Sequence, residues 1–265
     1  MATYVCSDMH GHVRAFDRLL SRASLTDDDH IYVIGDMVDR GPDPLEVLKL
    51  VRSLPNCTAL MGNHESMMLD ALADPSDAYN WLLWSQNGGM VTAEQLTTLV
   101  GEAYGEMVRW VRSLPLHEQV NVGGRDFVLV HAGIRPVVPR EEGWDAHALE
   151  EMLCAQDSDD LLWIREDYFG HHTGLMNEHG EGAIVVSGHT PSVVAEVYAD
   201  VSDRPARNEF GFLQMLYLGA DASTGGMPDR LAIDCGAGSV ANYGQVCLLR
   251  LDDMEEMYER VFEGE

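Results

Sequence analysis

Short apolar runs and longer amphipathic stretches follow one another in a regular order along the N-terminal part of the chain. Three short apolar runs, "TYVCSD", "HIYVIGD" and "CTALMGN", have the length and composition of strands. The stretches between them, "HVRAFDRLLSRA" and "DPLEVLKLVRSL", have helical spacing, with Val13, Phe16 and Leu19 on one face of the first. This order of elements predicts parallel strands joined by right-handed crossovers.

The rest of the chain predicts more helices and then more strands. "HESMMLDALAD" and residues 79 to 113 have a helical composition, and "LHEQVNVGGRDFVLVHAG" predicts a hairpin around its two glycines. "AIVVSGH", "LAIDCGA" and "QVCLLRLDD" predict further strands. Residues 197–230 are a mixed stretch that we interpret as an elaboration. We therefore expect an α/β protein, with central mixed sheets flanked by helices, in which residues 1–265 form one domain.

Polar side chains stand where the predicted strands end, and a glycine lies close to each group. The carboxyl ends of strands in an open parallel sheet line one crevice, so these side chains should converge there. A single Asp or His of this kind has little meaning, but five such strand ends in one chain indicate a common site. The residues concerned are Asp8, His10, Asp36, Asp39, Arg40, Asn63, His64, His131 and His189.

The donor types indicate metal ions. Carboxylate, amide and imidazole donors suit Mn²⁺, Zn²⁺ or Fe rather than a soft metal. Six donors are too many for one ion that keeps an open catalytic position, and they suit two ions with one carboxylate bridging. Two-metal sites of this kind support phosphoryl transfer. The six candidate ligands are Asp8, His10, Asp36, Asn63, His131 and His189.

The charge narrows the class of partner. The chain has 17 basic and 44 acidic residues, a formal net charge of −27. Such a field repels nucleic acid, so we expect no nucleic-acid partner. It also opposes phosphorylated substrates, so metal ions and a few arginines must supply local positive charge. We interpret the acidity mainly as a solubility trait, and salt adaptation of the host stays open.

Cysteine use and hydropathy indicate a soluble cytoplasmic protein. The five cysteines are far apart and include no C-x-x-C pair, which favours free thiols in a reducing compartment. None stands in a C-x₅-R phosphate loop, which argues against a cysteine phosphatase. The apolar runs are too short for a membrane helix, and the N-terminus does not have the pattern of a signal peptide.

Five motifs carry a family resemblance. "DMHG", "GDMVDRG", "GNHE", "HAG" and "GHTP" resemble, in order, the metallophosphoesterase motifs of the phosphoprotein phosphatase family. "GNHESMML", "NWLLWSQNGG" and "LLWIRED" look like its small bacterial and bacteriophage lambda phosphatase branch. The resemblance runs from about residue 4 to residue 240 and covers residues 197–230 poorly. It implies a metallophosphoesterase fold with a dinuclear site at the strand ends.

The resemblance implies a role for each matching residue. Asp8 and His10 match ligands of the first metal, and Asp36 matches the bridging carboxylate. The ligands of the second metal match Asn63, His131 and His189. Asn63 is also expected to contact the substrate phosphate. Ser7 stands where the family usually has Gly, a mild change beside the ligand Asp8.

Catalytic roles follow from the same resemblance. Arg40 and Arg165 match the arginines that bind the substrate phosphate, His64 matches the catalytic acid, and Asp39 matches the carboxylate that orients His64. Direct in-line attack by a metal-bridging hydroxide is then expected, with two divalent ions, Mn²⁺ first and Fe or Zn²⁺ open. We interpret Glu65 as a helix N-terminal charge.

The sequence leads to three hypotheses about the function of the protein. The main expectation is a serine/threonine protein phosphatase acting on a phosphorylated protein or a small phosphoester. The alternative is a symmetrical dinucleoside tetraphosphate hydrolase. "GNHE" and "WIRE" favour the phosphatase branch over this alternative, since the hydrolase branch tends to have Asp after "GNH". A non-catalytic module would lack a ligand or the catalytic His, and neither is missing. His12, His171 and His172 are expected to be surface or turn residues, and the oligomeric state is left open.

Overall fold

A computed structural model describes residues 1–239, 242–262 and 264. The strands are β1 (Thr3–Cys6), β2 (His30–Val33), β3 (Cys57–Ala59), β4 (His117–Val122), β5 (Arg125–Val130), β6 (Ile184–Ser187), β7 (Leu216–Leu218), β8 (Arg230–Ala232), β9 (Gln245–Arg250) and β10 (Glu255–Arg260). The helices are α1 (Val13–Ala23), α2 (Pro44–Ser53), α3 (Asn63–Ala73), α4 (Ala78–Gln86), α5 (Met90–Leu96), α6 (Glu102–Arg112), α7 (Ala146–Cys154), α8 (Ser158–Trp163), α9 (Glu166–Phe169) and α10 (Ser192–Tyr198). A 3₁₀ turn spans Ala222–Thr224.

The strands form two mixed sheets. The first sheet has the order β10-β9-β1-β2-β3, and the second has the order β4-β5-β6-β8-β7. In the first sheet, β1, β2 and β3 are parallel, while β9 runs antiparallel to β1 and β10 antiparallel to β9. In the second sheet, β5, β6 and β8 are parallel and β4 and β7 are antiparallel edges. The predicted fold class of mixed sheets flanked by helices is confirmed.

Side chains of successive strand residues enter different layers of the core. In β1, Val5 belongs to the apolar cluster between the two sheets, whereas Tyr4 and Cys6 belong to the cluster under the first sheet's helices. In β5, Leu129 faces the space between the sheets and Val130 faces the helices of the second sheet. Both faces of these strands are buried, which explains why they are nearly continuous apolar runs.

The predicted elements of the N-terminal part are confirmed, and several later elements were missed. The β4–β5 hairpin turns at Gly123 and Gly124, whose φ angles of 60° and 87° suit glycine in a two-residue turn. Helices α7 to α10 and strands β7 and β10 were not predicted. Residues 197–230 contain the end of α10, β7 and the 3₁₀ turn, so the elaboration is partly regular. The single-domain description of residues 1–265 stays a prediction.

No helix within the described ranges is both long and apolar enough to cross a membrane.

Candidate metal centre

The predicted site residues lie where strands of both sheets end. Asp8 follows β1, Asp36 follows β2, and Asn63 opens α3 just after β3. His131 directly follows β5, and His189 lies just beyond β6. All five are buried. The carboxyl ends of strands from both sheets therefore supply one common cluster of polar side chains.

The loops after these strands use unusual backbone conformations. Asp8, Asp36 and His189 have φ angles of 54°, 53° and 64°, in the left-handed region that residues other than glycine rarely adopt. Backbone strain of this kind is concentrated at functional sites. Gly62 also needs to be glycine, because a Cβ atom there would lie 2.3 Å from Oδ1 of Asp36. The loops are thus shaped to bring side chains together around Asp36.

Asp36 lies between two imidazoles. Its Oδ2 atom is 3.4 Å from Nε2 of His10, and its Oδ1 atom is 3.3 Å from Nε2 of His131. One carboxylate therefore faces two separate groups of donor atoms, as a bridging ligand would. Within each group the candidate ligand atoms lie within 4.8 Å of one another; the groups are His10, Asp36 and His64, and Asp36, His131 and His189.

The donor chemistry around Asn63 fits a metal ion. Its Oδ1 atom lies 2.8 Å from Nε2 of His131 and 2.9 Å from Nδ1 of His189. The Nδ1–H group of His131 is 2.9 Å from the Ile34 carbonyl and donates to it, so Nε2 presents a lone pair. Two acceptor atoms thus face each other, and a cation placed between them would relieve their repulsion. Burial, followed by the charges of Arg165 and Arg40, lowers the pKa of His131 to about 3 and keeps it neutral, as a ligand must be.

A backbone carbonyl orients the imidazole of His10, as it does that of His131. Its Nδ1 atom lies 2.9 Å from the carbonyl oxygen of Val38, which directs Nε2 toward Asp36. Burial and then the neighbouring His64 lower the pKa of His10 well below its usual value. A neutral imidazole held by a backbone carbonyl is the usual arrangement of a metal-binding histidine.

Asp8 is placed differently from the other candidate ligands. Its carboxylate accepts the backbone N–H of His189 at 2.9 Å and the hydroxyl of Ser7. None of the tight groups of donor atoms found among the described residues contains Asp8, whereas one of them contains His64. Burial, and then the nearby carboxylate of Asp234, raise the pKa of Asp8 well above its usual value.

Asp234 was missed by the sequence analysis. It lies two residues beyond β8 and is buried. Burial raises its pKa to about 6. The signal was available, because Asp234 follows the apolar run "LAI" just as Asp36 follows "YVIG". Three buried carboxylates, those of Asp8, Asp36 and Asp234, make this edge of the sheets a place that needs positive charge.

His64 is held by a buried hydrogen-bond network. Its Nδ1–H donates to Oδ2 of Asp39 at 2.7 Å. Asp39 also accepts from Nε1 of Trp84 at 2.9 Å and from the hydroxyl of Thr92 at 2.6 Å. Burial raises the pKa of Asp39 to about 7. Burial and Arg40 lower the pKa of His64. Trp84 and Thr92 were not given roles from the sequence, although "NWLLWSQNGG" contains the tryptophan.

The two predicted phosphate arginines are both exposed and near the cluster. Nη1 of Arg40 is 3.1 Å from Nε2 of His10, and Nη2 is 2.7 Å from Nε2 of His64. Arg165 precedes α9, and its charge contributes, after burial and His131, to the lowered pKa of His189. The buried Oδ1 atom of Asn63 faces imidazoles, which favours a ligand role over the phosphate contact that was also expected.

Glu65 differs from its sequence interpretation as a simple helix N-terminal charge. Its side chain is fully buried. It accepts backbone N–H groups of Gly62, Asp36 and Met37 at 2.8–2.9 Å and that of Val38 at 3.2 Å. Glu65 therefore ties the start of α3 to the loop that carries Asp36, and fixes the position of the candidate bridging carboxylate.

The fold and site define a metallophosphoesterase. Residues 1–222 match the Calcineurin-like phosphoesterase family, and the chain belongs to this family. The family-level resemblance stated from the motifs is thereby confirmed, and the chain is a metallophosphoesterase hydrolase with candidate ligands for a dinuclear centre.

Three curated relatives share a more particular name. Symmetrical bis(5'-nucleosyl)-tetraphosphatases from Erwinia tasmaniensis, Acidovorax sp. and Psychromonas ingrahamii are 32%, 35% and 29% identical to this chain. The alignments cover 61%, 54% and 69% of this chain and 52%, 47% and 61% of those proteins. The chain spans about half the length of the first two relatives.

Solved structures agree on the fold. A structure described provisionally as a diadenosine tetraphosphatase has a TM-score of 0.59 at 16% identity and covers 99% of this chain and 94% of its own. A protein serine/threonine phosphatase from Saccharomyces cerevisiae has a TM-score of 0.55 at 16% identity, with 100% and 81% covered. At these identities the similarity shows the fold alone.

The expected serine/threonine protein phosphatase activity is wrong on these comparisons. The curated relatives are symmetrical bis(5'-nucleosyl)-tetraphosphatases, which support the alternative, and they give no support for a phosphoprotein substrate. The error has a physical reason. Glu65 was weighed as a marker of the phosphatase branch, but it is buried against the Asp36 loop and does not face the cleft. A residue that fixes a ligand loop serves any substrate equally well.

Proposed function

We propose that this chain hydrolyses dinucleoside tetraphosphates symmetrically, giving two nucleoside diphosphates. The names of the curated relatives support this substrate class, and the family supports phosphoester hydrolysis. The observation that carries the metal-dependent hydrolysis is the position of Asp36, whose two carboxylate oxygens face His10 and His131 at 3.4 and 3.3 Å. A carboxylate between two neutral imidazoles is suited to bridge two cations.

We assign the ligands as they were expected from the motifs. Asp8 and His10 would hold the first ion, Asp36 would bridge, and the second ion would be held by Asn63, His131 and His189. Mn²⁺ is the first candidate because the donors are oxygen and imidazole nitrogen, and Zn²⁺ and Fe share that preference. When bound, the ions would lower the pKa of a water nucleophile and neutralise phosphate charge.

The protein's own side chains bind and orient the substrate. Arg40 and Arg165 supply guanidinium groups for the phosphate oxygens, because five fixed N–H donors match phosphate geometry. Arg40 lies against His10 and His64, so a phosphate that it bound would lie next to the candidate metal centre. In a chain of net charge −27, these local cations are needed to attract a polyphosphate.

His64 has a smaller task in this reaction than in phosphomonoester hydrolysis. Cleavage of the central anhydride releases a nucleoside diphosphate, whose terminal oxygen is a much weaker base than an alkoxide. Protonation of the leaving group then lowers the barrier less. Asp39 holds the Nδ1–H of His64 and thereby keeps Nε2 directed at Arg40 and the phosphate it would bind. His64 is proposed to donate a proton from Nε2 in its imidazolium form, which a bound phosphate would favour, and its contribution depends on the leaving group.

Product analysis tests the proposal. Diadenosine tetraphosphate is incubated with the protein and Mn²⁺, and the nucleotides are separated by anion-exchange chromatography. We expect ADP as the only nucleotide product, with activity lost in a chelator and recovered with Mn²⁺. Asp36→Asn, purified in parallel, controls for a contaminating hydrolase.

Two results would contradict the proposal. Equal amounts of AMP and ATP would mean asymmetrical cleavage. Hydrolysis of p-nitrophenyl phosphate without any turnover of diadenosine tetraphosphate would mean that the substrate class is wrong.

A further inference from the structure

A cavity of about 620 Å³ opens beside the candidate metal centre. Arg40 lines it, and the same guanidinium group contacts His10 and His64. Gly238 also lines it, and a Cβ atom at Gly238 would lie 2.3 Å from Cδ2 of His10, so the cavity wall touches a candidate ligand. A phosphate chain bound by Arg40 can therefore continue directly into this cavity.

The cavity differs in charge from the one beside the other phosphate arginine. Among the described residues that line the Arg40 cavity, none is Asp or Glu. The cavity of about 380 Å³ beside Arg165 is lined by four carboxylates, those of Asp159, Asp160, Glu166 and Asp167. In a chain with 44 acidic residues, a cavity whose described lining residues include no carboxylate suits an anionic ligand better than the cavity beside Arg165.

One wall of the cavity is apolar and carries a half-exposed aromatic ring. Phe262 is 46% exposed and lines the cavity together with Val91 and Val261. The guanidinium carbons of Arg18 and Arg260 lie 5.2 and 5.4 Å from the centre of the Phe262 ring. Arg18 is itself fixed by Glu259 at 2.8 Å. The ring is thus held at the cavity wall by two cation–π contacts, while the residue stays 46% exposed.

His12 adds a polar group to the same cavity. From the sequence we expect a surface residue without a functional role at this position. In the structure it stands at the N-cap of α1 and lines the cavity next to Gly41. An apolar wall with a few polar groups and a volume of several hundred Å³ is typical of a small-molecule site.

We propose that this cavity binds the nucleoside of one half of the substrate, with Phe262 against the base. The proposal rests on the proposed function and deepens it, because it assigns the nucleoside to the Arg40 side of the metal centre. The phosphates would contact Arg40 and the metal centre, and the base and ribose would occupy the space lined by His12, Val91 and Phe262.

Inhibition by a nucleotide and by its inorganic counterpart tests the proposal. Hydrolysis of p-nitrophenyl phosphate is measured with ADP or with inorganic pyrophosphate as the inhibitor. In the unmodified protein we expect ADP to inhibit more strongly, since only ADP has a nucleoside. Phe262→Ala should reduce the ratio of the two inhibition constants by roughly 5- to 10-fold, in keeping with the loss of an aromatic contact to a base. Phe262→Tyr, which keeps the ring, should retain the ratio.

A second phenylalanine provides the control. Phe210 is 73% exposed and lies outside the cavity, so Phe210→Ala should leave the ratio unchanged. The pocket assignment is overturned if the ratio in Phe262→Ala equals that of the unmodified protein, or if Phe210→Ala lowers it as much. Turnover of diadenosine tetraphosphate by the unmodified protein is scored separately, and its absence would overturn the proposed function while the inhibition ratio still decides the pocket.

Discussion

Two clusters of histidine and aspartate in this protein have similar composition and opposite character. The inner cluster is the candidate metal centre around Asp36. The outer cluster lies near α9 and β8 and consists of His172, Asp200, Asp221, Asp229 and Arg230. In the outer cluster His172 lies 3.2 Å from Asp221 and 3.4 Å from Asp229, distances as short as those between Asp36 and its imidazoles.

The clusters differ in where their positive charge comes from. Arg230 is completely buried and pairs with Asp229 and Asp200, each at 2.8 Å. Although burial opposes the charged form, these carboxylates raise the pKa of Arg230. The carboxylates of Asp8 and Asp36 have no buried arginine of this kind among the described residues. A carboxylate cluster that the protein neutralises itself is structural, whereas one that it leaves negative is suited to bind cations.

The largest effect on turnover is expected at His64, a histidine of the inner cluster. His64→Asn should lower turnover of alkyl phosphates by roughly 10²–10⁴, the usual contribution of general acid catalysis, and should keep both metals. The loss should be smaller for p-nitrophenyl phosphate and for diadenosine tetraphosphate, whose leaving groups are weaker bases. Turnover on the three substrates is measured with metal content on the same samples.

His172→Asn is the matched control for His64→Asn. We expect it to change turnover on none of these substrates, because His172 belongs to the outer cluster, in which Arg230 already pairs with Asp200 and Asp229. Equal losses on all substrates in His64→Asn would assign His64 to positioning. Loss of a metal in that variant would make His64 a ligand, in line with its grouping with His10 and Asp36.

A smaller effect is expected at Glu65, which supports the inner cluster but is not a candidate ligand. Glu65→Gln removes the charge that accepts the backbone N–H groups of the Asp36 loop. Supporting groups of this kind typically contribute about 10- to 100-fold to metal affinity. Metal titration should show that loss, and Glu46→Gln, an exposed change on α2, should show none. An unchanged metal affinity in Glu65→Gln would mean that the loop holds Asp36 without it.

The smallest effect on turnover is expected in the outer cluster. Arg230→Met leaves buried Asp229 without its arginine partner and should lower the free energy of unfolding by about 3–5 kcal/mol in urea denaturation. Turnover per folded chain should be nearly unchanged. Arg135→Met also removes two carboxylate contacts, but at an exposed side chain, and its loss should be much smaller. A loss of metal in Arg230→Met would contradict the separation of the two clusters.

The convergence of the candidate ligands could be predicted from sequence because they follow strands. Asp8, Asp36 and His131 come directly after apolar runs, and the topology of parallel strands brings such positions to one edge. The same pattern could have identified Asp234. The supporting contacts could not be predicted in this way, since Asp39 bonds Thr92 and Trp84, 53 and 45 residues away, and no local pattern encodes such pairs.

The missed elements are mostly short. α9 has four residues and β7 has three, so neither is long enough to show a helical or strand period. The substrate class was missed for another reason. The Glu of "GNHE" counted in favour of the phosphatase branch, whereas Glu65 is buried and contacts the backbone, so it carries no information on the substrate. Letters within a motif indicate chemistry only once their side chains are placed.

Metal content tests the central claim most directly. The unmodified protein, Asp36→Asn and Asp221→Asn are loaded with Mn²⁺, dialysed together and measured by mass spectrometry of the metal, with folding checked by circular dichroism. Both aspartates lie beside an imidazole, but only Asp36 faces two groups of donors. We predict two ions per chain in the unmodified protein and in Asp221→Asn, and loss of both in folded Asp36→Asn. Two ions retained by Asp36→Asn, or ions lost from Asp221→Asn, would contradict the account.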